Sequence, residues 1–312
     1  MKLFAGRSNP ALSEEIAKKL GIPLGDRTIR SFADGEIWVK FEENIRNEDV
    51  FIIQSTSPPS DNIIELMLML DAARRASAKS VTAVIPYYGY ARQDRKDKPR
   101  VPISARLFLD TFETVGASRI ITMDLHSPQI QGFVNIPFDH LYSRLVLLER
   151  LKKENLNLQN GVVLSPDMGS ARMGQSYARY LDVGFALIDK RRPAPNRAEV
   201  VHLVGELRDR HVLIIDDMVD TAGTLISAAT AAMENGAISV AAIATHALFS
   251  GPARELINSS PIKRMIVTNT IAINPDGLED KLEVISVAGI FATSIKRIYK
   301  GQSLSSLFEM ES

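Results

Sequence analysis

Short runs of β-branched and other apolar residues recur along the chain, most of them separated by stretches in which apolar positions return every three or four residues. The first pattern is that of a buried strand and the second that of an amphipathic helix. Strands are predicted at residues 2–4, 37–41, 50–54, 81–86 and 119–123, and again at 162–165, 185–188, 212–215, 240–245 and 265–268. Helices are predicted at 12–20, 63–77, 103–115, 143–153, 224–235 and 251–258. Such alternation predicts an α/β fold of mostly parallel sheets flanked by helices. The two halves repeat one plan, because the strands at 119–123 and 212–215 both run into carboxylates: Asp124-Leu125-His126 and Asp216-Asp217. Two similar domains are therefore expected, residues 1–146 and 147–312, with the last ~20 residues packing back on the first. Asn62 with Glu65 three residues on reads as a capping box for the helix from Ile63. The Leu66–Leu70 stretch of that helix is apolar on every side and predicts burial, against the core or another subunit.

Composition narrows the function more than the fold. Lys plus Arg and Asp plus Glu both count 37, so no global field draws the chain to nucleic acid or to a membrane surface. With Cys at 0, disulfides, thiolate nucleophiles and cysteine-ligated zinc are all excluded. No signal peptide and no apolar run long enough for a transmembrane helix stand out, which makes a cytoplasmic protein the expectation.

Candidate chemistry concentrates at Val212–Thr224. Four apolar residues end in Asp216-Asp217, and Asp220-Thr221-Ala222-Gly223-Thr224 then opens an alanine-rich helix. Ligands of open α/β sheets bind at the carboxyl ends of their strands. Gly223 permits close backbone approach, the Thr221 and Thr224 hydroxyls add donors, and a helix N-terminus favours an anion. The two carboxylates suit a vicinal diol. Together these are the parts of a pocket for a phosphorylated ribose.

Other segments carry weaker signals. Arg92 to Arg100 holds five basic and two acidic residues after the aromatic stretch Tyr87-Tyr88-Gly89-Tyr90, which suits either a polyphosphate clamp or a solvated loop. Phe32-Ala33-Asp34-Gly35-Glu36 reads from its residues as a hairpin turn. Lys190-Arg191-Arg192 reads as a basic turn after a strand. His126 and Asp167 each follow a strand, and Mg²⁺ commonly takes one or two protein ligands plus substrate phosphates. Neither a P-loop nor a G-x-G-x-x-G motif occurs.

Asp216–Thr224 resembles the ribose-phosphate-binding loop shared by phosphoribosyltransferases and ribose-phosphate pyrophosphokinases. The Tyr87–Arg100 segment resembles the catalytic flexible loop of the pyrophosphokinases, which the transferases lack. The resemblance spans essentially the whole chain and implies phosphoribosyltransferase-like domains. It implies transfer of the β,γ-diphosphoryl group of Mg·ATP to O1 of ribose 5-phosphate, giving 5-phosphoribosyl 1-diphosphate and AMP. By the same resemblance Lys190, Arg192, Arg92 and Arg95 neutralise the transferred group, and Phe32, Asp34, Gly35, Glu36, Arg92 and Gln93 place ATP. Arg192, Asp216, Asp217, Asp220, Thr221, Ala222, Gly223 and Thr224 hold ribose 5-phosphate, and His126 and Asp167 hold Mg²⁺. A homo-oligomer, a hexamer by resemblance, with phosphate and ADP as effectors at Ser104, Ser303, Ser305 and Phe308, completes the expectation. One departure stands out. The family usually has Gly-Gly after Pro-Asp and an Arg six residues beyond that Asp, whereas this chain reads Met168-Gly169-Ser170-Ala171-Arg172. That change leaves a catalytically weak regulatory paralogue as the rival reading, with a phosphoribosyltransferase and a bare sugar-phosphate-binding module behind it.

Overall fold

A computed structural model of the chain describes residues 1–153, 160–191 and 200–305. They form two compact units. The first comprises Met1–Ser143, Thr270–Ala272 and the segment from Ser286 onward; the second comprises Arg144–Asn269 and Ile273–Ile285.

In the first unit the strands β1 (Lys2–Ala5), β4 (Asp49–Ile53), β5 (Ser80–Ile85), β6 (Arg119–Met123) and β7 (Phe138–Leu141) form one parallel sheet in that spatial order. Phe4, Ile52, Ala83 and Ile120 are fully buried on it, as the continuous apolar runs of a sheet covered on both faces require. Helices α1 (Pro10–Leu20), α2 (Asp61–Arg75) and α3 (Ser104–Val115) connect the strands, and α8 (Ala288–Tyr299) packs against α1. Helix α1 begins where Asn9 Oδ1 accepts from Leu12 N, with Pro10 at its first position, and ends at the left-handed Gly21. The strands β2 (Arg27–Ser31) and β3 (Ile37–Phe41) form a separate antiparallel hairpin. Its Ile29, Val39 and Phe41 rest on the core cluster beneath.

The second unit has a seven-stranded sheet in the order β10 (Val200–Val204), β9 (Gly184–Arg191), β8 (Gly161–Ser165), β11 (His211–Val219), β12 (Ser239–Ala247), β13 (Ile262–Thr268) and β14 (Leu282–Ile285). Every pair is parallel except the β9–β10 edge hairpin. Helices α4 (Arg144–Lys153), α5 (Ala171–Leu181), α6 (Gly223–Glu234) and α7 (Ala253–Ser259) complete it. From β8 the chain moves outward to β9 and then returns to β11 on the other side. The order reverses between β8 and β11, and a crevice opens at such a switch point at the carboxyl ends of the strands.

Two local expectations need correction. The α2 capping box does not form: the helix starts at Asp61, Asn62 donates to Ser57 O, and the buried Glu65 carboxylate accepts from Arg7 N, Arg7 Nε and Gln54 Nε2. A tertiary ion pair with Arg7, 2.6 Å long, outcompetes the local cap. Within this chain α2 buries Leu66, Met69 and Leu70 and exposes Ile64 and Leu68. Finally, Lys190 and Arg191 are not a turn. They extend β9, paired with Val201 and Val200 of the edge strand.

Candidate active site

The crevice of the second unit is lined by carboxylates. Strand β11 outruns its apolar core, so Asp216 and Asp217 lie within it rather than beyond its end, with Asp216 paired to Ala244. β8 ends one strand over, and Asp167 follows it by two residues. Burial, then the Asp217 carboxylate, then that of Asp167 push the Asp216 carboxyl well above its ordinary value of 3.8. Its one hydrogen bond that opposes this is donated by Asp217 N at 2.9 Å. The three acids therefore share one region of negative potential that favours a cation or hydroxyl donors.

Ser170 helps hold Asp167. Its backbone N–H donates to Asp167 Oδ1 at 3.1 Å, its Oγ lies 3.3 Å from both that atom and Asp167 O, and its own carbonyl accepts from Ser165 Oγ at 3.2 Å. Ser170 is buried, whereas Arg172 points to an exposed position on the first turn of α5. The residue that departs from the family pattern is thus built into the support of the acid.

The anion side of the crevice is the turn from β11 into α6. Asp220 accepts from Ser250 N at its carbonyl, and Ala222 caps the helix with φ +64° and no capping side chain. The left-handed conformation falls on Ala222, not on Gly223, and costs a residue with a β-carbon about 1–2 kcal/mol. A β-carbon on Gly223 would meet nothing nearer than Thr221 Oγ1 at 3.9 Å. The space beside that glycine is open to a ligand. Gly223, Thr221 and Thr224 are exposed and Asp220 partly so.

In the first unit, the cationic loop springs from a fixed root. Thr56 Oγ1 donates to Tyr87 O and accepts from Gly89 N at 2.7 Å, and Tyr88 Oη donates to Ala105 O at 2.6 Å. Burial raises the Tyr88 phenol far beyond its ordinary value, so it stays a neutral donor. A β-carbon at Gly89 would lie 2.2 Å from Thr56 O, so only glycine fits. Beyond this root Arg92, Gln93 and Arg95 are exposed. Ser104 Oγ donates to Gln93 Oε1, which brings a residue expected in regulation onto one expected at ATP.

The hairpin tip displays Phe32, 47% exposed. Phe32 N donates to Glu36 O, Gly35 N to Phe32 O, and Glu36 N to Asp34 Oδ1, with Gly35 at φ +95°. Asp34 therefore shapes the turn that Glu36 and Gly35 complete. His126 is exposed after β6, while its neighbour Asp124 is buried and accepts from Ser143 N. Ser303 and Ser305 are exposed with their hydroxyls 2.8 Å apart. Arg192 and Phe308 lie outside the described residues, as does the side chain of Lys190. Among the described residues no three His, Asp or Glu side chains form a preassembled metal cage. Such a site fits Mg²⁺ only when substrate phosphates supply the remaining ligands.

Comparison with known proteins adds an independent line. Residues 1–116 match the N-terminal domain of ribose phosphate pyrophosphokinase, and residues 192–309 match the phosphoribosyl synthetase-associated domain. A ribose-phosphate pyrophosphokinase of Chlorobaculum tepidum is 50% identical over 99% of this chain and 95% of its own length. That of Aquifex aeolicus is 49% identical over 99% of both. The crystal structure of phosphoribosylpyrophosphate synthetase from Mycobacterium smegmatis superposes with a TM-score of 0.91 at 38% identity, covering 96% of this chain and 99% of the other.

Proposed function

The chain belongs to the ribose-phosphate pyrophosphokinase family, and from that premise we propose how its residues carry the β,γ-diphosphoryl group of ATP to O1 of ribose 5-phosphate, releasing AMP. The observation that carries the reading is the acidic crevice at β8 and β11 beside the open N-terminus of α6. Asp216 and Asp217 accept hydrogen bonds from the ribose hydroxyls. The Asp220–Thr224 turn takes the 5-phosphate through backbone N–H groups and the Thr221 and Thr224 hydroxyls. This orients O1 for in-line attack on the β-phosphorus, a reaction that depends on positioning and charge neutralisation.

Arg92, Arg95, Lys190 and Arg192 neutralise the diphosphoryl group. The exposure of Arg95 suits a side chain that closes over a substrate. Phe32 stacks on adenine, with Asp34, Gly35, Glu36 and Gln93 beside the nucleoside. Asp167 and His126 are the proposed Mg²⁺ ligands. The shared negative potential of Asp167, Asp216 and Asp217 is the property of the site that fits a hard divalent cation. When bound, the ion screens the polyphosphate charge against these acids. The proposal extends to a cytoplasmic homo-oligomer, a hexamer by family likeness, with phosphate and ADP acting near Ser104, Ser303, Ser305 and Phe308.

The test is ³¹P NMR of the purified protein with ATP, Mg²⁺, ribose 5-phosphate and inorganic phosphate. AMP and a C1-linked diphosphate should appear in equal amounts. ADP in place of AMP would refute attack at the β-phosphorus, and no turnover would favour the regulatory-paralogue reading.

A further inference from the structure

The outer face of the β2–β3 hairpin carries a feature that the fold does not need. Ile29, Val39 and Phe41 point inward to the core, so the opposite face should be polar. Instead it holds Trp38, the one tryptophan of the chain, directly across from Arg30 in the antiparallel register. The Arg30 guanidinium carbon sits 4.5 Å from the Trp38 ring centroid and 5.6 Å from that of Phe32. Among the described residues Arg30 makes no ion pair and no hydrogen bond, so its charged head serves the two rings alone. Arginine is suited to this, because its planar, weakly hydrated head stacks on an aromatic face while its edge stays wet.

We infer that Arg30 is a positioning residue for the purine of the nucleotide: braced on Trp38, it holds the half-exposed Phe32 ring in the orientation that stacks on adenine. The inference rests on the reading of Phe32 as the adenine platform. Two physical points carry it. An exposed phenylalanine at a hairpin tip samples several rotamers, and fixing one before binding removes part of the ordering cost that binding otherwise carries. Arg30 also reaches Phe32 from within the paired strand, Ser31 being the last paired residue, so the contact couples an exposed ring at the tip to a hydrogen-bonded ladder. None of Arg30, Phe32 and Trp38 is among the residues proposed to hold ribose 5-phosphate or the transferred group. The effect is therefore specific to the nucleotide and falls on binding more than on turnover.

The experiment uses the full-length enzyme, with Arg30→Ala, Arg30→Lys, Phe32→Ala and the Arg30→Ala/Phe32→Ala pair. Steady-state KM for ATP is measured at saturating ribose 5-phosphate, and Trp38 emission is followed on titration with a non-hydrolysable ATP analogue. Arg30→Ala should raise KM for ATP about two- to five-fold, the size of one or two exposed cation–π contacts, and leave KM for ribose 5-phosphate alone. Arg30→Lys should recover part of the loss, keeping the charge but not the planar stack. Phe32→Ala should cost more, and the double variant no more than Phe32→Ala by itself, because Arg30 acts through that ring. Trp38 emission should move to the red in Arg30→Ala as the indole loses its cover, with the titration midpoint shifted by the same factor as KM. Additive losses in the double variant, or an unchanged KM in Arg30→Ala beside a raised one in Phe32→Ala, would overturn the inference alone. An unchanged KM in Phe32→Ala would remove the adenine platform, and the inference with it.

Discussion

Two carboxylates follow the apolar runs of two parallel strands, and the molecule treats them in opposite ways. Asp124, after β6, is buried and accepts a hydrogen bond from Ser143 N at 3.1 Å. Asp216, within β11, is crowded by Asp217 and Asp167, and its proton is held well above the ordinary pH range for an aspartic acid. The first carboxylate stabilises its unit by satisfying a backbone donor. The second resists ionisation where it stands, because burial and two neighbouring acids penalise its charged form. Sequence position alone does not separate the two; what surrounds each acid does.

The largest effect expected from this contrast is on activity. Asp216→Asn or Asp217→Asn should lower kcat/KM for ribose 5-phosphate by on the order of 10², the size of a lost charge-assisted hydrogen bond of about 3 kcal/mol. Steady-state assays check it, and a loss under three-fold would place the diol elsewhere. Asp124→Ala should do the reverse. It strands the Ser143 N–H and should lower unfolding free energy by about 1–3 kcal/mol, read from the urea midpoint, with little change per folded enzyme. A smaller effect is expected at Ser170→Ala, which removes the hydroxyl beside Asp167 but keeps the backbone bond. The Mg²⁺ concentration for half-maximal rate should rise about three-fold, and an unaltered value would make Ser170 a spacer.

The last effect is in the pH dependence of stability. The native state keeps the Asp216 proton to higher pH than the unfolded chain does. Unfolding therefore releases a proton in the window above 3.8, and stability contributed at this site falls as pH rises through it. Its slope is at most about 1.4 kcal/mol per pH unit. Metal-free urea unfolding at several pH values should show that slope in the parent protein and lose it in Asp216→Asn. Identical profiles would mean the crowding is relieved in solution.

Much of this was legible in the pattern of residues. The apolar runs mark the central strands to within a few residues because each is buried on both faces, and the Asp-Gly pair places the hairpin turn correctly. The pattern does not mark strands β2, β7, β10 and β14. They are short or at a sheet edge, and Phe138-Asp139-His140-Leu141 carries too few apolar residues to read as a strand without its neighbour β6. Helices α5 and α8 were also missed; α5 buries only Gly174, Tyr177 and Ala178 along its described length. At the site, the residue types were readable but not their support. Ser170 looked like a defect, and only the geometry shows it bonded to Asp167. The Arg30–Trp38 pairing could have been found from hairpin register, since the turn fixes which residues face each other.

Gly89 has a consequence for how freely this enzyme can vary. Any larger residue there would drive a β-carbon into the Thr56 carbonyl, so the loop's point of attachment tolerates no substitution. Beyond it, from Arg92 to Arg100, the side chains are almost all exposed, with Gln93 tied back to Ser104. The loop is thus anchored at one inflexible point, and its cations swing from a root that substitution cannot loosen.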